Sequence, residues 1–179
     1  MRRWMAGLLA IALLTCAALA DDQVAMRIVA CPEQDFATLC RPEYDYDFTP
    51  DGGLTLELGS DDAFVTIFKT DAPGADFDAE YFLNNVYANQ LRSSYGDDLI
   101  SVSQCSTISL GGREMPSVMA IYVRNGELRM RFCAYDLRED CFVQYEAFSP
   151  QEDEEMQKAL TALAVAVGNF QPDADYYSK

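Results

Sequence analysis

The sequence contains no histidine, and this limits the catalytic chemistry that its side chains could carry out. Serine or cysteine nucleophiles activated by histidine are therefore excluded, as are zinc sites with histidine ligands. None of Lys69, Lys158 and Lys179 follows a serine by three residues, and no C-x-x-C pair is present. The sequence thus predicts no catalytic residue, no metal site and no cofactor, and it favours a protein that is not an enzyme.

Carboxylates are the abundant charged groups, with 29 Asp and Glu residues and a formal net charge of -16. The spacing Asp45-x-Asp47-x-Thr49-x-Asp51-Gly52 is similar to a calcium loop, but the glycine comes two positions late and Leu56 replaces the last ligand. Alternation in a strand explains the same spacing, with Asp45 and Asp47 on the solvent face. A carboxylate pair that hydrolyses an extracellular polymer remains an alternative function.

The dipeptide Asn125-Gly126 is a strong hairpin signal, and it predicts that Arg124 lies opposite Glu127. One face of this hairpin is predicted to be core, and it carries Met119, Ile121, Val123, Leu128, Met130 and Phe132. The opposite face carries Val118, Ala120, Cys133 and the four residues that we predict to bind a ligand: Tyr122, Arg129, Arg131 and Tyr135. Tyrosine and arginine are enriched at binding hot spots, which is the basis for this prediction.

Two other interpretations of the hairpin face remain open. The arginines could pair with acids such as Glu146, or a helix could cover the face. If the face binds a ligand, replacing Arg129 and Arg131 with alanine abolishes binding and leaves the thermal midpoint nearly unchanged. An equal loss of stability would indicate a structural role.

The cysteines are candidates for disulfide bonds, because an exported protein meets an oxidising environment. Cys31 and Cys40 form the best single pair, since only a short proline-containing loop separates them. Cys133 and Cys141 are the other candidates. The alternative is that the cysteines are small buried apolar residues with free thiols.

The elements that must position these residues are predicted from periodicity and turn signals. Strands are expected at 24–30, 54–58 and 64–69, followed by a four-strand meander at 99–110, 115–124, 127–136 and 141–148. Residues 31–42 are predicted to form a loop, and residues 48–53 a turn.

Two helices are predicted between and after these strands. Asp76 or Asp78 caps the first helix, which ends at Tyr95-Gly96. Its buried face is expected to carry Phe82, Leu83, Val86, Tyr87 and Leu91. The second helix is expected to open with the capping box Ser149-Pro150-Gln151-Glu152 and to bury Met156, Ala159, Leu160, Leu163, Val167 and Phe170. The fold class is therefore α+β, with a mostly antiparallel sheet of about six to seven strands packed by two helices.

The N-terminal segment has the pattern of an export signal. Arg2 and Arg3 precede an apolar run, and Ala18-Leu19-Ala20 is a cleavage site before Asp21. We therefore expect a cleaved signal peptide at 1–20, a single domain at 21–172 and a flexible tail at 173–179. The protein is predicted to be secreted or extracytoplasmic without a membrane span, and lipid anchoring at Cys16 is an alternative.

The order of elements from residue 44 to residue 170 resembles the PsbP-like α/β/α sandwich family. The aromatic strand that runs into a turn at Tyr46-Asp47-Phe48-Thr49-Pro50-Asp51-Gly52 is similar to the start of that fold, and Phe170 is similar to its end. The resemblance implies an accessory or binding protein without shared catalytic residues.

The predicted function is that of an exported, acidic, non-catalytic binding or accessory domain. Its partner is an unknown protein or small ligand. The partner is not expected to be a nucleic acid, because the acidic surface repels its phosphates. The same negative charge favours a soluble monomer. An extracellular hydrolase, a structural envelope protein and a lipoprotein are the alternatives.

Overall fold

The computed structural model describes residues 25–60, 62–74, 76–150 and 153–178. The predicted signal segment 1–20, its cleavage site before Asp21 and the alternative lipid site Cys16 lie outside the described residues. The strands are β1 Arg27–Cys31, β2 Phe36–Cys40, β3 Asp45–Phe48, β4 Leu54–Ser60, β5 Ala63–Asp71, β6 Leu99–Val102, β7 Ser106–Leu110, β8 Arg113–Arg124, β9 Glu127–Leu137 and β10 Cys141–Pro150. Helix α1 spans 79–95, and helix α2 spans Asp153–Gly168.

Eight of the described strands form one antiparallel sheet in the order β3-β4-β5-β10-β9-β8-β6, with β7 also paired to β8. The predicted hairpin is confirmed, since Arg124 pairs with Glu127 and the turn residues Asn125 and Gly126 have φ values of 55° and 79°. Such left-handed conformations are what a two-residue turn of this type requires. The strand predicted at 99–110 is divided into β6 and β7, with residues 103–105 between them.

Helix α1 combines α-helical ends, Ala79–Tyr81 and Ala88–Tyr95, with a central π-helical segment, Phe82–Tyr87. The predicted cap is confirmed, because Asp78 Oδ1 accepts a hydrogen bond of 2.9 Å from the N–H of Tyr81. Four buried side chains of α1 recur every four residues, namely Ala79, Leu83, Tyr87 and Leu91, and Ala88 is buried beside them. A four-residue spacing drifts around an ordinary helix of 3.6 residues per turn, and the wider π turn offsets that drift. Val86, predicted on the buried face, is exposed.

Helix α2 begins later than predicted. Strand β10 continues through Ser149 and Pro150, where Pro150 pairs with Arg129 at the end of the ladder. The hydroxyl of Ser149 is buried in the sheet without a hydrogen-bond partner in the described part of the chain, so it does not cap the helix, and Gln151 and Glu152 lie outside the described residues. The predicted stripe of α2 is buried as expected: Met156, Ala159, Leu160, Leu163, Val167 and Phe170.

The two helices lie on opposite faces of the sheet. Helix α2 and the β1–β2 hairpin cover one face, where the sheet contributes Leu54, Leu56, Val65, Ile67, Met115, Phe132, Val143 and Tyr145. Helix α1 covers the other face over Val118, Ala120, Cys133 and Tyr135. The described chain therefore has the predicted α+β class, as an α/β/α sandwich.

Residues 31–42, predicted to be a loop, contain strand β2. This strand depends on distant contacts: Thr38 Oγ1 donates a hydrogen bond of 2.8 Å to the carbonyl oxygen of Ala166, and Ala37 exchanges two backbone hydrogen bonds with Gln171. The turn before it contains Asp35 with a φ of 50°. Strand β2 pairs with β1 in a local hairpin, and these further contacts join it to residues more than a hundred positions away along the chain, which local sequence does not reveal.

The C-terminal residues are folded onto the domain, whereas a flexible tail was predicted at 173–179. Tyr176–Ser178 forms a turn of 3-10 helix. The hydroxyl of Tyr177 donates a 2.6 Å hydrogen bond to the carbonyl oxygen of Asn169, and the N–H of Ala174 donates to Asp35 Oδ1. These hydrogen bonds hold residues 174 and 177 against the domain, and Lys179 lies outside the described residues.

None of the helices in the described ranges combines the length and the apolar character needed to cross a bilayer.

Candidate functional site

The hairpin surface predicted to bind a ligand lies beneath helix α1. Tyr122, Arg129 and Tyr135 are only 4%, 6% and 2% exposed, and Arg131 is half-buried at the edge of the helix. The face is covered because the apolar stripe of α1 packs on β8 and β9. Ligand binding by these four residues stays a prediction. The structure agrees with both of the other interpretations of this face: a helix covers it, and its arginines pair with acids.

Arg131 forms a buried ion pair with Glu146. Its Nη2 atom lies 2.8 and 2.9 Å from the two carboxylate oxygens, and the Tyr87 hydroxyl donates a 2.6 Å hydrogen bond to the same carboxylate. Gln144 Nε2 donates a further hydrogen bond of 2.9 Å. Burial opposes the charge of Arg131, but the adjacent Glu146 carboxylate holds the pKa of the guanidinium above its ordinary value. This network anchors the middle of α1 to the sheet.

Arg129 is held by two acids at the border of the sheet. Its Nη1 atom lies 2.9 Å from Asp62 in the β4–β5 turn, and its Nη2 atom lies 3.0 Å from Glu127. The hydrogen bond from Arg129 lowers the pKa of the Asp62 carboxyl group. Both predicted arginines are therefore occupied by internal carboxylates.

The buried tyrosines between α1 and the sheet are neutral structural side chains. Burial, with the neighbouring Tyr95, raises the pKa of Tyr122 to about 12, and these two rings stack with centroids 4.2 Å apart. Burial also raises the pKa of Tyr135 and of Tyr87 far above the ordinary value of a phenol. None of the three supplies an ionised oxygen at neutral pH.

The predicted disulfides are not formed, because the cysteines in the described residues are free thiols. Cys31 pairs with Phe36 and Cys40 with Arg27, so the two cysteines lie at opposite ends of the β1–β2 hairpin. Four residues of strand separate them by about 13 Å, beyond the roughly 7 Å that a disulfide allows between Cα atoms.

The second candidate disulfide, between Cys133 and Cys141, is not formed for a different reason. Cys133 lies in the core beneath α1, whereas Cys141 lies in the core beneath α2, on the opposite face of the sheet. Burial raises the pKa of the thiols of both residues, which disfavours the reactive thiolate. The alternative of small buried apolar cysteines agrees with this arrangement.

Helix α1 leaves part of its sheet face uncovered. The apolar cluster beneath it contains no residue of β3, β4 or β5 among those described. We call this region the open sheet surface, and it consists of Asp45, Asp47, Thr55, Glu57, Phe64, Thr66, Phe68 and Phe148. All are half-buried or exposed, as expected for a sheet face without a covering helix.

A row of side chains crosses the open sheet surface at right angles to the strands. Asp45 pairs with Glu57, Glu57 with Phe64, Phe64 with Phe148 and Phe148 with Arg131. The rings of Phe64 and Phe148 stack with centroids 4.4 Å apart and an interplanar angle of 17°, and the Arg131 guanidinium lies 4.8 Å over Phe148. We call this the cross-strand row. It joins the buried ion pair to the exposed acids.

Phe68 and Asp47 of the open sheet surface are each held by a contact with a neighbouring residue. Phe68 packs against Gly53, where an added Cβ atom would lie 2.5 Å from the ring. Asp47 Oδ1 accepts a hydrogen bond of 2.8 Å from the N–H of Phe48. All four residues of β3 are exposed, but Asp45 and Asp47 pair with Glu57 and Thr55 on one face, so the register supports strand alternation as the origin of their spacing.

The acidic side chains do not gather into a metal site in the part of the chain that is described: no group of three His, Cys, Asp or Glu residues is arranged to hold an ion. A shallow depression of about 540 Å³ lies along the outer face of α1, lined by Tyr81, Asn85, Val86, Asn89, Gln90, Ser93 and Ser94. Its walls come from one helix alone, so it is an indentation between exposed side chains.

The open sheet surface was not predicted from sequence, although one signal for it was present. Phe64, Thr66 and Phe68 alternate with the buried Ala63, Val65 and Ile67. Such alternation is typical of a strand with one face in the core and the other outside it. Phe64 and Phe68, the two phenylalanines on the outer face of β5, could therefore have indicated the open sheet surface.

No protein-family model matches the sequence, and no curated protein matches it. Solved structures do match. The solution structure of cyanobacterial PsbP (CyanoP) from Synechocystis sp. PCC 6803 has a TM-score of 0.53 and 8% identity, over 85% of this chain and 95% of that chain. A mutant of the protein Mog1 has a TM-score of 0.51 and 12% identity, over 82% and 95%. A protein from Bacteroides thetaiotaomicron VPI-5482 has a TM-score of 0.52 and 7% identity, over 81% of this chain but 47% of that one.

At identities this low, the similarity concerns the fold alone. The chain has the PsbP-like fold that its order of elements predicted.

Proposed function

We propose that this protein is an exported, non-catalytic binding or accessory domain that presents the open sheet surface to a partner. The observation that carries the proposal is the uncovered part of the α1 face, with its stacked pair Phe64 and Phe148. Aromatic side chains bury large areas at little entropic cost and are enriched at interfaces. The PsbP-like fold is compatible with this role.

The assignment as a non-catalytic protein rests on how the buried charges are used. Glu146 is held by Arg131 and Tyr87, and on the opposite face Asp136 is held by Arg113 and Arg138. Carboxylates bound in this way stabilise the fold and are poorly placed to exchange protons with a substrate. The net charge supports a role as a soluble monomer.

Export is the second part of the proposal, and it rests on the signal pattern of residues 1–20. When the full chain is expressed in its native host, we expect the protein outside the cytoplasm to begin at Asp21. N-terminal sequencing of that protein measures this directly. A Cys16→Ser variant should be exported and processed in the same way, because the cleavage site lies after this residue. A mature chain that begins with a lipid-modified Cys16 would contradict free secretion.

Position-specific crosslinking tests the open sheet surface. A photo-reactive amino acid at Thr55 or Thr66 lies on this surface, whereas the same amino acid at Gln157 lies on the exposed side of α2. We expect both surface positions to crosslink one and the same partner in native extracytoplasmic material, and Gln157 not to crosslink it. Mass spectrometry identifies the product. Equal crosslinking from all three positions, or none from Thr55 and Thr66, would contradict the proposed surface.

A further inference from the structure

The cross-strand row has a phenylalanine ring beside carboxylate at each of its two ends, and the inner end binds a cation of this chain. At its inner end, the Arg131 guanidinium lies over the ring of Phe148 and is neutralised by Glu146. At its outer end, Phe64 is followed by Glu57 and Asp45. Both ends therefore join a phenylalanine ring to carboxylate, and among the described residues an arginine is bound at the inner end alone.

The strand register determines which side of the aromatic stack is free. Phe148 and Glu57 pair with Phe64 from opposite sides, because β10 and β4 flank β5. Neighbouring strands are about 4.8 Å apart, so a planar group that stacks on Phe64 on the side of β4 lies within reach of Glu57. The next strand adds Asp45 to the same position.

No cation among the described residues pairs with the carboxylates at the outer end. In the described part of the structure, no ion pair involves Asp45, Asp47 or Glu57. Asp45 and Glu57 face each other directly across the strands, and like charges in such pairs destabilise a sheet. A positive group bound between them removes that repulsion.

We propose that the outer end of the cross-strand row binds an arginine side chain from a basic segment of a partner protein. The guanidinium stacks on the free side of Phe64 and pairs with Glu57 and Asp45, as Arg131 stacks on Phe148 and pairs with Glu146. Arginine fits this position better than lysine, because its planar group stacks on rings and bonds two oxygens at once. The threonines beside the row, Thr55 and Thr66, provide hydroxyl groups for the segment that carries it.

This inference rests on the proposed use of the open sheet surface and names the partner chemistry there. The probe is a short fluorescent peptide of repeated Arg-Gly-Ser, compared with a Lys-Gly-Ser peptide and a citrulline peptide of the same length. Fluorescence anisotropy with the purified protein at physiological salt measures Kd. We expect the arginine peptide to bind most tightly and the neutral citrulline peptide not to bind.

A pair of double variants separates a specific site from general attraction. Asp45→Asn with Glu57→Gln should weaken binding of the arginine peptide about tenfold, which corresponds to about 1.4 kcal/mol. Asp140→Asn with Glu139→Gln removes the same charges from the exposed β9–β10 turn and should change Kd less than about twofold. Phe64→Leu should remove the preference for arginine over lysine.

The outcomes that overturn the inference are distinct. Equal weakening by both double variants would mean that the acidic molecule attracts cations without a site. Self-association of the Asp45→Asn, Glu57→Gln variant in sedimentation velocity, with unchanged peptide affinity, would mean that these acids only protect the edge strand β3. If Thr55 and Thr66 crosslink a partner while no peptide binds, the arginine assignment fails and the proposed surface stands.

Discussion

Replacing Glu146 with alanine is expected to lower the free energy of unfolding by about 3–5 kcal/mol. The reason is that the variant leaves the guanidinium of Arg131 beneath α1 without its counter-charge. It also removes the acceptor of the Tyr87 hydroxyl and of Gln144 Nε2. Urea unfolding followed by far-ultraviolet circular dichroism measures the loss.

Two companion variants show whether the cost arises from the buried charge. Glu139→Ala removes an exposed carboxylate and should stay within about 0.5 kcal/mol of the unsubstituted protein. Arg131→Met with Glu146→Leu removes both charges together and should recover more than half of the loss, because an apolar pair has no desolvation cost. A loss for Glu146→Ala no larger than that for Glu139→Ala would show that water solvates the pair.

The ion pair between Arg131 and Glu146 also changes the result expected when Arg129 and Arg131 are replaced with alanine. An unchanged thermal midpoint after replacing Arg129 and Arg131 was the expectation for a binding surface. Since both side chains neutralise acids in the structure, the substitutions are now expected to destabilise the fold. Glu57 and Asp45 are better probes of binding because they are exposed and pair with no described cation.

Local signals predicted those parts of the fold whose geometry is fixed by neighbouring residues. Asn125-Gly126 requires left-handed backbone conformations, and it formed the predicted turn. Asp78 satisfied an N–H group at the start of α1, which any helix must do. The capping box at Ser149 failed because pairing of β10 with β9 extended through that residue, and sheet contacts overrode the local preference.

The candidate site was harder to predict because β8 and β9 carry buried apolar residues on both faces. Alternation correctly separated the two faces of β8 and β9, but it gave no information about which face lies under which helix. Met119 and Met130, assigned to the core, are only partly buried, while Val118 and Ala120 on the other face are almost completely buried. Helix position depends on contacts between distant segments, and these are absent from a local pattern.

Replacing Gly111 with alanine is expected to lower the free energy of unfolding by about 2–5 kcal/mol, the sum of backbone strain and overpacking. Gly111 lies in the β7–β8 turn with a φ of +57°, and an added Cβ atom would lie 2.5 Å from both the carbonyl oxygen of Ala164 and the nitrogen of Gly168. Both atoms belong to the backbone of α2, so the clash can be relieved only if the turn and the end of the helix separate. Chemical denaturation of the variant measures this loss.

The neighbouring residue gives a matched control, because Gly112 has a similar φ of +80° but no heavy atom within 4 Å of an added Cβ. Gly112→Ala should therefore show only the conformational cost of about 1–2 kcal/mol. The difference between the two variants isolates the contact between the turn and α2. Equal losses would mean that this contact contributes nothing and that α2 is held by its apolar stripe alone. A larger loss at Gly111 would show that a close backbone approach fixes the position of the helix on the sheet.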